Sequence, residues 1–303
     1  MQAVLPNVLG PKEVHPQNLH GRTAVVTGGV HGIGFEIARA LASAGAKVII
    51  VGRKKDHADD AISTVKSETP DADISWEECD LGKLSQVQSV FSKLRGSLDR
   101  LDFLVLSAGI NAQPFDLHAD GIDRHFGVNY LGQYYATNQL WPLLRKTSNM
   151  NEINNQNTGP THLYGRTKLA LLLFTKFGLV DKVIKPNSDN IYALAVHPGT
   201  VNTGMQDQWK DPDLGITGQL ISWAMKSVGR SPEQGAYSAL WALTAPDISE
   251  KDQNGGYYTD PSTEGSLSSQ AQDAQLVKNL WDLSEQIVKD KLGNDALVDW
   301  SAK

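Results

Sequence analysis

The apolar positions of the chain fall into two alternating patterns. Short runs of four to six apolar, β-branched residues read as buried strands, and stretches with apolar residues three and four apart read as helices. Thr23-Ala24-Val25-Val26-Thr27 is the first strand. The turn Gly28-Gly29-Val30-His31-Gly32-Ile33-Gly34 follows, then a helix with Ile37, Ala38, Leu41 and Ala42 on one side. Strands over 47–51, 74–78 and 101–106 alternate with helices over 57–67 and 84–94. This alternation predicts an α/β fold with a Rossmann-type doubly wound parallel sheet, whose ligands bind at the carboxyl ends of the strands.

The second half is less regular. A long helix is expected over 120–146, kinked near its end by Pro142. Residues 147–163 contain no apolar run and read as a loop. From Leu169 to Phe174 the chain is apolar on every side, so the next helix is buried. A strand over 191–196 leads to His197-Pro198-Gly199, and an insertion over 204–230 carries Leu220, Ala224, Met225 and Val228 at helical spacing. It is either a lid over an apolar substrate or ordinary core packing. Ser231-Pro232-Glu233-Gln234 is a capped helix start. A last strand is expected near 256–259, and a terminal helix over 271–292 presents Leu276, Leu280, Leu283 and Ile287 as a stripe for core or interface.

Composition narrows this picture. At 303 residues, with 40% apolar and 20% charged positions, the chain is globular: one domain over 20–303 after an extension of residues 1–19. A net charge of −6 argues against nucleic acid or an anionic membrane as partner. The lone Cys79 rules out an intrachain disulfide and fits a reducing, cytoplasmic compartment. No apolar run reaches the roughly 18 residues of a membrane span, and residues 1–19 do not read as a signal peptide. The eight histidines lack metal-ligand spacing, so no metal is expected.

Two motifs carry chemistry. The first strand, the glycine turn and the following helix aim backbone N–H groups and a helix dipole at one point, which suits a pyrophosphate. Gly28, Gly32 and Gly34 let the backbone approach it closely. The second strand ends in Gly52-Arg53-Lys54-Lys55, with cations where an acidic residue would hold the 2′-hydroxyl of NAD. Arg53 therefore points to the 2′-phosphate of NADP(H), with NAD the lesser alternative. Tyr164 and Lys168 lie one helical turn apart, and an ammonium so placed favours the phenolate.

Thr27-Gly28-x-x-x-Gly32-x-Gly34, Asp80, Ala108-Gly109, Asn129, Tyr164-x-x-x-Lys168 and His197-Pro198-Gly199-x-Val201-x-Thr203 follow the order and spacing of one family. Over residues 20–260 the chain resembles the short-chain dehydrogenases/reductases, in texture their retinol-dehydrogenase-like fungal branch. The resemblance implies that Gly28, Gly32, Ile33 and Gly34 hold the pyrophosphate, and that Asp80 and Leu81 contact adenine. It implies that Ala108 and Gly109 lie along the cofactor and that Val201 and Thr203 hold the carboxamide. Tyr164 would exchange the proton, Lys168 would assist it and bind the ribose, and Asn129 would anchor a water relay to Lys168. A dimer through the Asn129 and Tyr164 helices is also implied. Leu106-Ser107 stands where the family has two asparagines, which removes sheet-stabilising contacts.

The family also has a fifth strand ending in a catalytic serine, where this chain has the polar stretch 147–163. The expected sheet therefore lacks that strand or rearranges, with 191–196 moving in beside the fourth. Ser148 is the only serine between the long helix and Tyr164, either a carbonyl donor or a loop serine. Two functions remain in competition. One is an NADP(H)-dependent oxidoreductase acting on a carbonyl or alcohol of a small lipophilic molecule. The other is a catalytically impaired cofactor-binding or interaction protein, a splice or gene-model variant without the serine-bearing strand.

Overall fold

The computed structural model describes residues 11–110, 116–118, 120–148, 154–156, 162–199, 201–202 and 229–301, with backbone only at 148, 154–156 and 162–166. Strands β1 (Thr23–Thr27), β2 (Lys47–Gly52), β3 (Ile74–Glu78) and β4 (Phe103–Leu106) alternate with helices α1 (Gly32–Ser43), α2 (Lys55–Glu68) and α3 (Leu84–Ser97). They form a parallel sheet in the order β3-β2-β1-β4, with Val25 opposite both Ile49 and Leu104. Side chains alternate between two cores. Val25, Ile49, Val51, Leu104 and Leu106 face the core that contains Phe91, Tyr134 and Phe174. Ala24, Val26, Val48, Ile50, Phe103 and Val105 face the core that contains Ile37, Leu41 and Leu240. Burial on both faces is why these strands read as continuous apolar runs.

The long second-half helix opens with a turn at Arg124–Phe126, widens into a π turn at Gly127–Leu131 and continues as α4 (Gly132–Ser148). Gly132 permits this path. A Cβ there would lie 2.1 Å from the carbonyl oxygen of Leu81, so only glycine lets the helix touch the loop after β3. Pro142 sits inside α4. Helix α5 (His162–Leu173) runs on through π turns over Phe174–Ile184. Later come β6 (Ala195–Val196), α6 (Pro232–Thr244), β7 (Tyr257–Asp260), β8 (Thr263–Glu264) and α7 (Ala274–Leu292). Ser231 caps α6 through a reciprocal capping box with Gln234, as its sequence predicts.

Three expectations differ from the structure. The stretch 147–163, read as a loop, contains β5 (Asn154–Gln156), which pairs in parallel with Phe103–Val105 of β4. Its polar composition hid it, because β pairing is made by backbone atoms and needs no apolar run. Second, residues 191–196 do not move in beside β4. Only Ala195 and Val196 pair, and their partners are Tyr257 and Tyr258 in a small sheet ordered β6-β7-β8. The backbone before them is satisfied by a side chain: Asn254 Oδ1 accepts from Ala193 N–H at 2.9 Å, and Asn254 Nδ2 donates to Ile191 O at 2.8 Å. Third, the buried face of α7 is Val277, Trp281, Ser284 and Val288, one position on from the leucine stripe. Leu276 and Leu283 are exposed, while Trp281 packs edge-on against Tyr134 and close to Trp300. The large indole gains more from burial than a leucine does, and it sets the rotation of the helix.

A buried ion pair fixes the lower end of α4. Arg145 donates from Nε and Nη2 to the two carboxylate oxygens of Asp189, both at 2.6 Å, with both side chains about 95% buried (4% and 5% exposed). Breaking a buried pair leaves one uncompensated charge, which costs about 3–5 kcal/mol. Arg145→Met should lower the urea-unfolding free energy by about that amount. The double variant Arg145→Met/Asp189→Leu should recover most of the loss, and a double variant no more stable than the single one would refute this account.

Candidate active site

The glycine turn sits at the carboxyl end of β1. Gly28 takes φ +68°, and a Cβ on it would lie 2.7 Å from Ala108 Cα, so the turn and the end of β4 touch backbone to backbone. Gly32 opens α1 at φ +61°, and the half-buried Ile33 packs on the core. Gly34 is equally constrained: a Cβ would fall 2.4 Å from Gly28 O. The residue preceding α1, His31, makes no side-chain capping hydrogen bond, and the first turn carries no acid. The uncapped N–H groups and the helix dipole are the donor set a pyrophosphate requires, so the residues present fit a dinucleotide.

Thr27, the first residue of the glycine motif, and Gln133, which motif reading did not find, brace this junction. Thr27 Oγ1 accepts from Ala108 N–H at 3.2 Å and donates to Gln133 Oε1 at 2.9 Å. Gln133 Nε2 returns to Ala108 O at 2.9 Å. Gln133 thus satisfies backbone beside the Leu106-Ser107 departure. Helical spacing could have suggested it, since Gln133 lies one turn beyond Asn129.

Asn129 lies in the π turn and is fully buried. Its Oδ1 accepts from Ile110 N–H at 2.7 Å, and its Nδ2 donates to Ile110 O at 2.9 Å and Thr167 Oγ1 at 3.3 Å. It therefore ties the end of β4 to α5. A Cβ on Gly109 would stand 3.4 Å from Asn129 Oδ1 and 3.7 Å from Lys168 Nζ, so these three residues share one small volume. Tyr164 is in the first turn of α5, four residues before Lys168, and its side chain lies outside the described residues. Ser148 closes α4, with its side chain likewise outside them. Thr203 falls outside the described residues, whereas Val201 is buried beside Arg230.

Beyond β3, Asp80 Oδ1 accepts from Gly82 N–H at 3.1 Å, and Oδ2 lies 3.2 Å from Nε2 of His118, a residue that spacing alone did not single out. Leu81 is buried beneath them. Beyond β2, Arg53 and Lys54 are exposed and within electrostatic reach of His31, whose ring centroid lies 5.7 Å from that of His57. Desolvation first, then these cations, hold the His31 imidazole below its usual range. The permanent positive charge here therefore comes from Arg53 and Lys54. Among the described residues no cluster could hold a metal, and no helix is long and apolar enough to cross a membrane.

A parallel sheet with a glycine turn after β1 and an Asn–Lys site between β4 and α5 defines a dinucleotide-dependent oxidoreductase architecture. Residues 22–213 match the model of the short chain dehydrogenase family, and the protein belongs to that family. It is similar to human polyprenol dehydrogenase, at 27% identity over 87% of this chain and 84% of the relative. To mouse retinol dehydrogenase 14 it is 28% identical, over 90% and 87%. A fungal short chain dehydrogenase/reductase of Gibberella zeae, dpfgH, is 31% identical over 89% and 83%. Among solved structures, an uncharacterized protein from Mycobacterium paratuberculosis superposes with a TM-score of 0.63 at 26% identity, over 90% of this chain and 95% of its own. The protein is thus an oxidoreductase acting on alcohols or carbonyls with NAD(P).

Burial lowers the Lys168 ammonium from its ordinary 10.5 to about 7. Near neutrality the side chain is divided between charged and neutral forms, so its charge grows as the pH falls. The unfolded chain holds this proton up to about pH 10.5 and the folded chain releases it near 7. Stability should accordingly rise between those two values. Relative to Lys168→Met, the wild type should gain unfolding free energy as the pH rises from about 7 towards 10. A pH-independent difference in denaturation curves would contradict the buried, half-titrated lysine.

Proposed function

We propose that the protein is an NADP(H)-dependent oxidoreductase that interconverts a carbonyl and an alcohol on a small lipophilic molecule in the cytoplasm. The observation that carries this reading is the shared volume of Gly109, Asn129 and Lys168 at the end of β4, at the same carboxyl end of the sheet as the uncapped N-terminus of α1. When bound, the cofactor supplies or takes up the hydride. Tyr164 transfers the proton to or from the substrate oxygen. Lys168 favours the phenolate and binds ribose, and Asn129 holds α5 against β4 so that this pair keeps its position. Ser148 takes the part of the second carbonyl donor. Arg53 and Lys54 support NADP(H) over NAD(H). The lipophilic substrate is supported by the names of two relatives, polyprenol dehydrogenase and retinol dehydrogenase 14. The single cysteine, buried and with its thiol pushed up to about 12 by burial, supports a reducing compartment.

A second reading is favoured by one observation: the strand described between α4 and α5, Asn154–Gln156, is wholly polar. A strand without apolar side chains to seat it would leave the donor beside Tyr164 weakly aimed, in a cofactor-binding protein of impaired activity. Turnover with NADPH across a panel of apolar aldehydes and ketones separates the two. The first reading expects Tyr164→Phe to lose a factor of about 100 to 10,000 in rate. A wild type no faster than that variant would support the second.

Cofactor choice gives an independent check. Arg53→Glu replaces attraction of a 2′-phosphate by repulsion. It should weaken NADPH binding about tenfold to a hundredfold, with NADH changed by less than about threefold. Equal effects on both cofactors in a calorimetric titration would remove Arg53 from the 2′-phosphate site.

A further inference from the structure

Residues 197–199, 201–202 and 230 converge beside the small sheet. Val201 pairs in parallel with Arg230, and Asn202 N–H donates to Arg230 O at 2.7 Å. The Arg230 side chain reaches back over the preceding turn. Its Nη1 donates to Pro198 O at 3.3 Å and lies 2.7 Å from Asp260 Oδ1 on β7. Gly199 takes φ +78°, and a Cβ there would come within 2.9 Å of Nη1, so the missing side chain is what admits the guanidinium. Below the turn, Gly199 N–H donates to His197 Nδ1 at 3.0 Å. On the other side, a Cβ on Gly235 of α6 would come within 2.6 Å of Val201 Cγ2, so the valine is seated directly on the first turn of that helix.

The guanidinium thus meets the main chain of the turn at Pro198 O and the carboxylate of Asp260, and its charge also reaches the His197 imidazole. One planar cation serves a carbonyl and a carboxylate together, which lysine, a point charge, does less well. The turn it grips contains Val201, one of the two residues assigned to the carboxamide of nicotinamide. Val201 enters the site at a fixed depth only if the turn before it is rigid.

We propose that Arg230 and Asp260 form a positioning pair for the nicotinamide half of the cofactor. They hold Pro198, Gly199 and the Val201–Asn202 backbone in place so that Val201 faces the carboxamide, without touching the reacting atoms. The inference rests on the dehydrogenase reading above and adds to it two residues outside the recognised motifs. Such a pair contributes nothing to the adenine half, which is held by β1, β2 and β3, on the other side of β4.

The test compares two ligands on the full-length protein by calorimetry: NADPH, and 2′-phospho-ADP-ribose, which lacks only the nicotinamide ring. For Arg230→Gln and Asp260→Asn the NADPH dissociation constant should rise about tenfold, the scale of one charged hydrogen bond. Arg230→Lys should fall between these variants and the wild type. The dissociation constant of 2′-phospho-ADP-ribose should stay within about twofold in all three, which also reports that they are folded. Unchanged NADPH affinity in variants that still bind 2′-phospho-ADP-ribose would overturn the proposal, as would equal loss of both ligands. A wild type that binds neither ligand would instead defeat the dehydrogenase reading, and this inference with it.

Discussion

Ala108 at the end of β4 lies against Gly28 at the end of β1 with no room for a side chain between them. The site depends on this approach. It brings the N-terminus of α1, the end of β4 and the π turn carrying Asn129 to one edge of the sheet. Thr27 and Gln133 close the junction with hydrogen bonds to both backbone groups of Ala108, and Asn129 does the same for Ile110. Buried backbone left unpaired at a strand end would be costly, so these side chains are as structural as the strands themselves. The active edge is therefore a place where secondary structure ends and side chains take over its hydrogen bonding.

The same substitution recurs across the small sheet. Asn254 pairs with Ile191 and Ala193 where a neighbouring strand would otherwise do so, and Arg230 grips the turn that follows β6. Among the described residues, the chain on that side of β4 is held by side-chain amides and a guanidinium as well as by ladder bonds. This makes the half around the small sheet more dependent on individual side chains than the half formed by β1, β2 and β3. Burial acts on charge as well: it lowers the Lys168 ammonium to about 7, so the charge at this position becomes a function of pH.

Much of the architecture was legible because two-sided burial writes itself into composition. Val25, Ile49 and Leu104 must all be apolar, and so must their neighbours facing the other way. The glycine spacing was legible for a related reason: close backbone approach tolerates no other residue. What could not be read were elements set by competition between side chains. The leucine stripe of α7 gives way to a face led by Trp281, because the indole meets Tyr134 and Trp300 from distant parts of the chain. Polar β5 gave no signal at all, since its pairing uses only backbone atoms.

By itself the sequence determined the parallel sheet, the glycine turn after β1 and the residue types of the Asn129, Tyr164 and Lys168 set. Local periodicity and glycine geometry are properties of neighbouring residues, and a chain carries them before it folds. Only the tertiary structure decided that Gln133 serves Ala108, that His118 reaches Asp80 and that Arg230 bridges Pro198 to Asp260. Three of these partners stand some 25 to 40 residues apart, and nothing in the spacing of a polar side chain says which distant backbone group it will satisfy. That choice is made when two faces close and a buried donor must find the acceptor left beside it.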